Sequence, residues 1–321
     1  MAALILVMNE SPGKNQLEQA AIELAIDPSM IEKDWYVTQV LSFFSSSHFP
    51  GFEIVFSGGT ALSKAHGLIQ RFSEDVDFRV ITTTEDTPSR QRQKLSDFKN
   101  AVVKALREEG FSVSDPVAKD NNRYFTVDIE YDTQFDLLDA LRSHVKLELK
   151  VVSPQLPIIQ MPVQSFVTKL TKQTPEVEGI ACIDPVETAA DKLSALAWRI
   201  PNRVRGEIYD DPAIVRHIHD LAALETIVEK DARFPGLVAA SMQLDNDTLL
   251  KNKPAFGLPN TEKFAQMLTI LATDVEYRKE YEQFVKGVSY APEGTEPDFE
   301  TTLEAVRRLI NIVLAADTQV Q

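Results

Sequence analysis

Ser57-Gly58-Gly59-Thr60-Ala61-Leu62, followed by Arg71-Phe72-Ser73-Glu74-Asp75-Val76-Asp77-Phe78, is the stretch on which the fold turns. Phe52 to Phe56 reads as a strand, and the glycine pair after it opens a helical run from Thr60 to about Gln70. Asp75 to Val80 then alternates strictly, so Asp75, Asp77 and Arg79 share one face of a strand and Val76, Phe78 and Val80 the other. Glycines at a strand-to-helix turn let a phosphate approach the backbone, with no Cβ in the way. The helix that follows aims free N–H groups and a positive dipole end at the same place. Ser57, Gly58, Gly59 and Thr60 are therefore the candidate seat for a nucleoside triphosphate (NTP). Two aspartates at i and i+2 on a strand leave it together. Phosphoryl transfer uses such a pair to bridge two magnesium ions about 4 Å apart, and hard oxygen ligands suit magnesium. Asp75 and Asp77 are the candidate metal ligands. Alone, a Gly-Gly is a turn and an Asp-x-Asp a solvated strand face; their order and spacing make the chemical reading specific. Metal-dependent glycosyltransferases also carry Asp-x-Asp, but behind a larger nucleotide-binding α/β region than this sequence has room for.

Outward from this stretch, Leu17, Ala20, Ala21, Leu24 and Ala25 mark one helix face, and Ser29 with Glu32 has capping-box spacing for a second helix striped by Val37, Val40, Leu41 and Phe44. Toward the C-terminus the spacing predicts a helix over about 89–109. Two alternating strands follow, one with Phe125, Val127 and Ile129 inward, one with Val145, Leu147, Leu149 and Val151 inward. Polymerase-like transferases, which the segments quoted below resemble, usually place a third carboxylate on a neighbouring strand, to bind a metal and draw the proton from the attacking hydroxyl. Glu148, on the polar face of the second strand, is the candidate, with Asp128 and Glu130 as rivals and a solvated face as the plain alternative. Pro154, Pro157, Pro162 and Pro175 predict a connection with little regular structure. Asp184-Pro185-Val186-Glu187 is a strong helix start, with Glu187 assigned to capping. Later stripes are Phe264, Leu268 and Leu271, then Leu303, Val306, Ile310 and Val313. The expected class is α+β: helices over 1–50, an α/β domain over 51–165 and a mainly helical domain over 166–321.

Composition sets the bounds. With 321 residues, 44% hydrophobic and 25% charged, the chain can bury a substantial core. Its one cysteine, Cys182, excludes an internal disulfide and a cysteine-rich zinc site, and predicts a cytoplasmic setting. Ala2 to Met8 is apolar but too short to span a bilayer and lacks signal-peptide features, so no membrane association is expected. A formal charge of −15 opposes extensive contact with a long nucleic acid and leaves only a small or end-on polyanionic substrate.

Four segments together resemble the nucleotidyltransferase toxins of the AbiEii/AbiGii family, the toxin halves of abortive-infection toxin–antitoxin systems. They are Ile31 to Thr38; Gly58 to Leu62 with Arg71 to Asp77; Asp184 to Lys192; and Arg216-His217-Ile218-His219-Asp220-Leu221. They stand in the family's order across about two-thirds of the chain; Trp35-Tyr36 reverses the usual aromatics and His219 replaces a common tyrosine. The resemblance implies a minimal nucleotidyltransferase sheet like that of DNA polymerase β, with a helical domain closing the cleft. It implies that Gly58 and Ser73 line the triphosphate, that Asp75 and Asp77 hold Mg²⁺ and that Lys192 neutralises phosphate charge. Asp220 would orient Lys192 or assist the acceptor. Lysine at that point is reasonable, because the departing pyrophosphate gathers negative charge. The plain alternatives are a solvated helical lysine at Lys192 and an i, i+4 ion pair between Arg216 and Asp220. His217 and His219 face different directions on a helix and are not read as a zinc pair. Arg199, Arg203 and Arg205 form either a basic lip for a nucleotide or RNA end, or a solvated loop.

The expected activity is Mg²⁺-dependent transfer of a nucleotide from an NTP to an acceptor hydroxyl. The resemblance implies a tRNA 3′ end as acceptor and a cognate antitoxin as partner. The alternatives are nucleotidylation of a protein or small molecule, and a catalytically silent nucleotide-binding interaction module.

Overall fold

A computed structural model of the chain describes residues 11–82, 87–208, 210–248 and 257–317; the run Ala2–Met8 lies outside them. The chain divides into two compact units, Met1–Gly67 with Phe72–Ile183, and Leu68–Arg71 with Asp184–Gln321.

The first unit begins with α1 (Lys14–Leu24) and α2 (Pro28–Ser46), then β1 (Phe52–Ser57) and a short α3 (Gly58–Thr60) that runs on as a π-helical turn over Ala61–Ala65. There follow β2 (Val76–Thr82), α4 (Pro88–Glu108), β3 (Ser112–Val113), β4 (Val117–Lys119), β5 (Tyr124–Glu130), β6 (His144–Val151), β7 (Ile159–Val163), α5 (Phe166–Thr171) and β8 (Val177–Cys182). The strands form one mixed sheet in the order β3-β5-β6-β2-β1-β8-β7, with β4 paired to β5. The inward residues of the alternating strands, among them Phe78, Val80, Val127, Leu147 and Leu149, are buried with Val40, Leu41 and Phe44 of α2 and Phe98, Val102 and Leu106 of α4. The polar residues of the same strands face the other way, as the alternation predicts.

Several local expectations shift. Helix α2 starts at Pro28 rather than around Ser29: Asp27 is the cap, accepting from Ser29 N–H at 2.9 Å, with Pro28 at the first position. Glu32 is thereby free of capping and bonds elsewhere. The helix after the glycine pair stops near Ala65, not Gln70, because the chain turns at Gly67 with φ +64°. Strand β2 begins at Val76, so Asp75 stands at its threshold. The proline-rich connection is not irregular: β7, α5 and β8 lie in it, and β8 pairs in parallel with β1. Prolines on a strand at the edge of a sheet cost little, since the missing N–H faces outward.

The second unit is helical: α6 (Pro185–Asn202), α7 (Arg216–Val228), α8 (Phe234–Thr248), α9 (Asn260–Thr273), α10 (Val275–Val288) and α11 (Phe299–Asp317). Asp184 caps α6 by accepting from Val186 N–H at 2.9 Å. Phe264, Leu271, Leu303, Val306, Ile310 and Val313 are buried, as their stripes predict, while Leu268 is half-buried beside a buried Met267. Leu68–Arg71 is a short excursion into this unit, where Gln70 C=O accepts from Tyr290 N–H at 3.0 Å. Among the described residues no helix is long and apolar enough to cross a membrane.

Candidate active site

Antiparallel pairing of β1 with β2 sets Ser57 opposite Asp77. The turn that follows Ser57 is consequently delivered onto the Asp77 side chain. Gly58 has φ +77°, and a Cβ built on it would lie 2.1 Å from Asp77 Oδ2. Only glycine permits this approach. Ser57 Oγ donates to Asp77 C=O at 3.2 Å. Thr60 is buried and its hydroxyl contacts Ser73 Oγ at 3.0 Å and donates to Asp75 C=O. These bonds tie the glycine turn to the segment bearing the aspartates from both ends.

Parallel pairing of β2 with β6 sets Asp77 opposite Glu148. Paired residues on neighbouring strands share a face, so Glu148 lies on the same face as Asp77. Its rivals are farther: Asp128 and Glu130 lie on β5, one strand beyond, opposite Lys146 and His144. Glu148 accepts from Tyr124 Oη at 2.9 Å and pairs with Lys146. Burial and the adjacent Glu148 carboxylate push the Tyr124 phenol well above its ordinary range, so it acts as a donor. Asp75 accepts from Arg142.

The second unit holds Lys192 and Asp220. Lys192, 6% exposed, donates to Asp220 Oδ2 at 2.8 Å. Asp220 is fully buried, and Arg71 grips it through two bonds of 2.7 Å each. Burial alone would raise the Asp220 carboxyl, but Arg71 and Lys192 outweigh it and hold the group well below the usual carboxylate range. Burial lowers the Lys192 ammonium against the pull of Asp220. Arg216 does not take the i, i+4 pairing with Asp220; it turns to Asp211 at 3.3 Å. His219 lies between Asp220 and Glu296, at 3.4 and 3.1 Å.

The three arginines after Lys192 do not make a free cationic lip. Arg203 pairs with Asp210 and Glu280, Arg205 with Asp274 and Glu280, and Arg199 with Asp211. Acids supplied from elsewhere in the unit neutralise them, which local sequence gave no means of seeing.

Sequence reasoning also passed over several groups. Arg71 and Glu74 stand inside the quoted motif, and Lys33 inside the Ile31–Thr38 segment, yet their partners are remote in sequence. Arg142 carried no signal beyond its charge. Lys33 pairs with Glu74 at 2.5 Å, Asp34 pairs with Lys64 and accepts from Phe166 N–H at 2.7 Å, and Glu32 accepts from Gln134 N–H at 2.9 Å. Three consecutive buried charges on α2 thus hold the 131–143 connection, the segment before β2, the turn after α3 and the start of α5.

Hard oxygen donors on Asp75 and Asp77 suit a divalent cation that takes one or two carboxylates and completes its shell with water and substrate oxygens. Among the described residues no three His, Cys, Asp or Glu side chains form a ready-made metal cage.

The family model described as nucleotidyl transferase AbiEii toxin, type IV toxin–antitoxin system, matches residues 43–305. No curated protein matches the chain. Among solved structures, MenT4, a nucleotidyltransferase toxin from Mycobacterium tuberculosis H37Rv, is similar over 93% of this chain and 98% of its own, at 13% identity and a TM-score of 0.48.

Proposed function

Because the chain belongs to the AbiEii family of nucleotidyltransferase toxins of type IV toxin–antitoxin systems, we propose that it moves a nucleotide from an NTP to the 3′ hydroxyl of a tRNA, in the cytoplasm and with Mg²⁺. The observation that carries this reading is the close approach of Gly58 to the Asp77 carboxylate, which supports a triphosphate seated on the glycine turn beside Asp77. The acceptor oxygen attacks the α-phosphorus; that P–O bond forms as the bond to the bridging oxygen of pyrophosphate breaks. Glu148 takes the hydroxyl proton. Ser57, Gly58, Gly59 and Thr60 seat the triphosphate by backbone N–H groups, with Ser73 beside them. Asp75 and Asp77 would hold magnesium, which when bound supplies positive charge to the phosphates. Lys192, oriented by Asp220, is assigned to phosphate charge by the family resemblance. A net charge of −15 and arginines already paired to acids suit a substrate gripped at its end. A cognate antitoxin opposes the resulting growth arrest.

Labelled ATP, GTP, CTP and UTP, each incubated with the full chain and total RNA, total protein or an aminoglycoside, test this. Label is expected in the tRNA fraction, lost with Asp75→Ala/Asp77→Ala. Label in protein or aminoglycoside would replace the acceptor, and toxicity unaffected by the double substitution would favour a silent interaction module.

A further inference from the structure

Arg142 is held in an unusual way. Its N–H donates to Glu74 Oε2 at 2.9 Å and its C=O accepts from Lys33, which also pairs with Glu74. Lys33 is 0% exposed, and a buried ammonium is tolerated only with such partners. The backbone of Arg142 is thereby clamped on both sides. Its side chain is 42% exposed; it reaches Glu74 Oε1 at 3.2 Å and lies on the Asp75 carboxylate. A fixed pivot carrying a half-exposed guanidinium, beside the glycine turn's acidic partners, is the arrangement of a swinging cation.

We propose that Arg142 is a triphosphate-binding residue that also guards Asp75. It serves as the counter-cation of that carboxylate before substrate arrives. On loading it yields Asp75 to the divalent cation and turns its planar fork to the phosphate oxygens, which it matches geometrically. Arg142 and the divalent cation compete for the Asp75 carboxylate, so loading exchanges one for the other. The inference rests on the nucleotidyl-transfer reading and adds a residue to it.

The test has two affinities of opposite sign. Mn²⁺ is titrated into the full chain without nucleotide, following free ion by electron paramagnetic resonance. Inorganic triphosphate is then titrated by calorimetry with Mn²⁺ present. Arg142→Gln should bind Mn²⁺ about threefold to tenfold more tightly and triphosphate about tenfold or more weakly, the range of a charge-assisted hydrogen bond. Arg142→Lys, which keeps the charge and safeguards against misfolding, should bind Mn²⁺ as the unsubstituted chain does and triphosphate several-fold more weakly. A loss of both affinities in Arg142→Gln would mean that Arg142 merely braces the site and overturns the proposal, as would unchanged triphosphate binding. Equal Mn²⁺ binding by the unsubstituted chain and Asp75→Asn would instead remove the carboxylate site, and the nucleotidyl-transfer reading with it.

Discussion

Gly58→Ala tests the geometry at its tightest point. The added methyl would lie 2.1 Å from Asp77 Oδ2, 2.9 Å from its Cγ and 3.0 Å from its Cβ. To recover an ordinary separation of about 3.5 Å the carboxylate must retreat by more than about 1 Å. The backbone at φ +77° adds a separate cost of about 1–2 kcal/mol for a side-chain-bearing residue. A displacement of about 1 Å at a reacting group lowers rate by about 100-fold, whereas the backbone cost lowers Tm by only some degrees, about 2–4 °C per kcal/mol. Gly110→Ala separates the two effects. Gly110 has φ +99° with nothing within 4 Å of its Cβ position, so it incurs strain without collision. Labelled-nucleotide transfer and thermal melts of both variants should show similar destabilisation and a rate loss confined to Gly58→Ala. Full activity in Gly58→Ala, or equal rate losses in both, would refute the reasoning.

Other predictions follow from neighbouring contacts. Glu148→Gln should cut transfer by about 10²–10⁴-fold while sparing triphosphate affinity, with Asp128→Asn near wild type in the same transfer assay. Asp220→Ala removes the buried carboxylate that Arg71 and Lys192 share and should cost about 3–5 kcal/mol in urea unfolding. Because the folded Asp220 carboxyl is held below its unfolded value, its stabilisation is present above about pH 4 and disappears as pH falls further. His219 runs the opposite way: burial lowers its imidazolium, but Asp220 and Glu296 together raise it above its ordinary value. Its contribution is complete below about pH 6.5 and is lost as pH rises through the folded value; chemical denaturation across this range should show that slope, absent in His219→Phe.

The aspartate pair, the glycine turn, the alternating strands over 124–130 and 144–151 and the capped start of α6 were legible residue by residue. Each is a property of one element or one turn, where period, cap chemistry and backbone freedom act over a few neighbours. The strands hidden among the prolines were less so, since an edge strand tolerates the residues that usually signal a loop. What only the tertiary structure decided was pairing between distant segments. Register across β2 and β6 sets Glu148, and not Asp128, opposite Asp77, folding of 131–143 brings Arg142 onto Asp75, and the Leu68–Arg71 excursion carries Arg71 to Asp220. Arg203 and Arg205 look like a nucleic-acid lip in the sequence and are satisfied by acids on and beside α10 in the fold. A charged side chain discloses its sign to a reader of the sequence, but its partner is chosen by packing, and no local pattern encodes that choice.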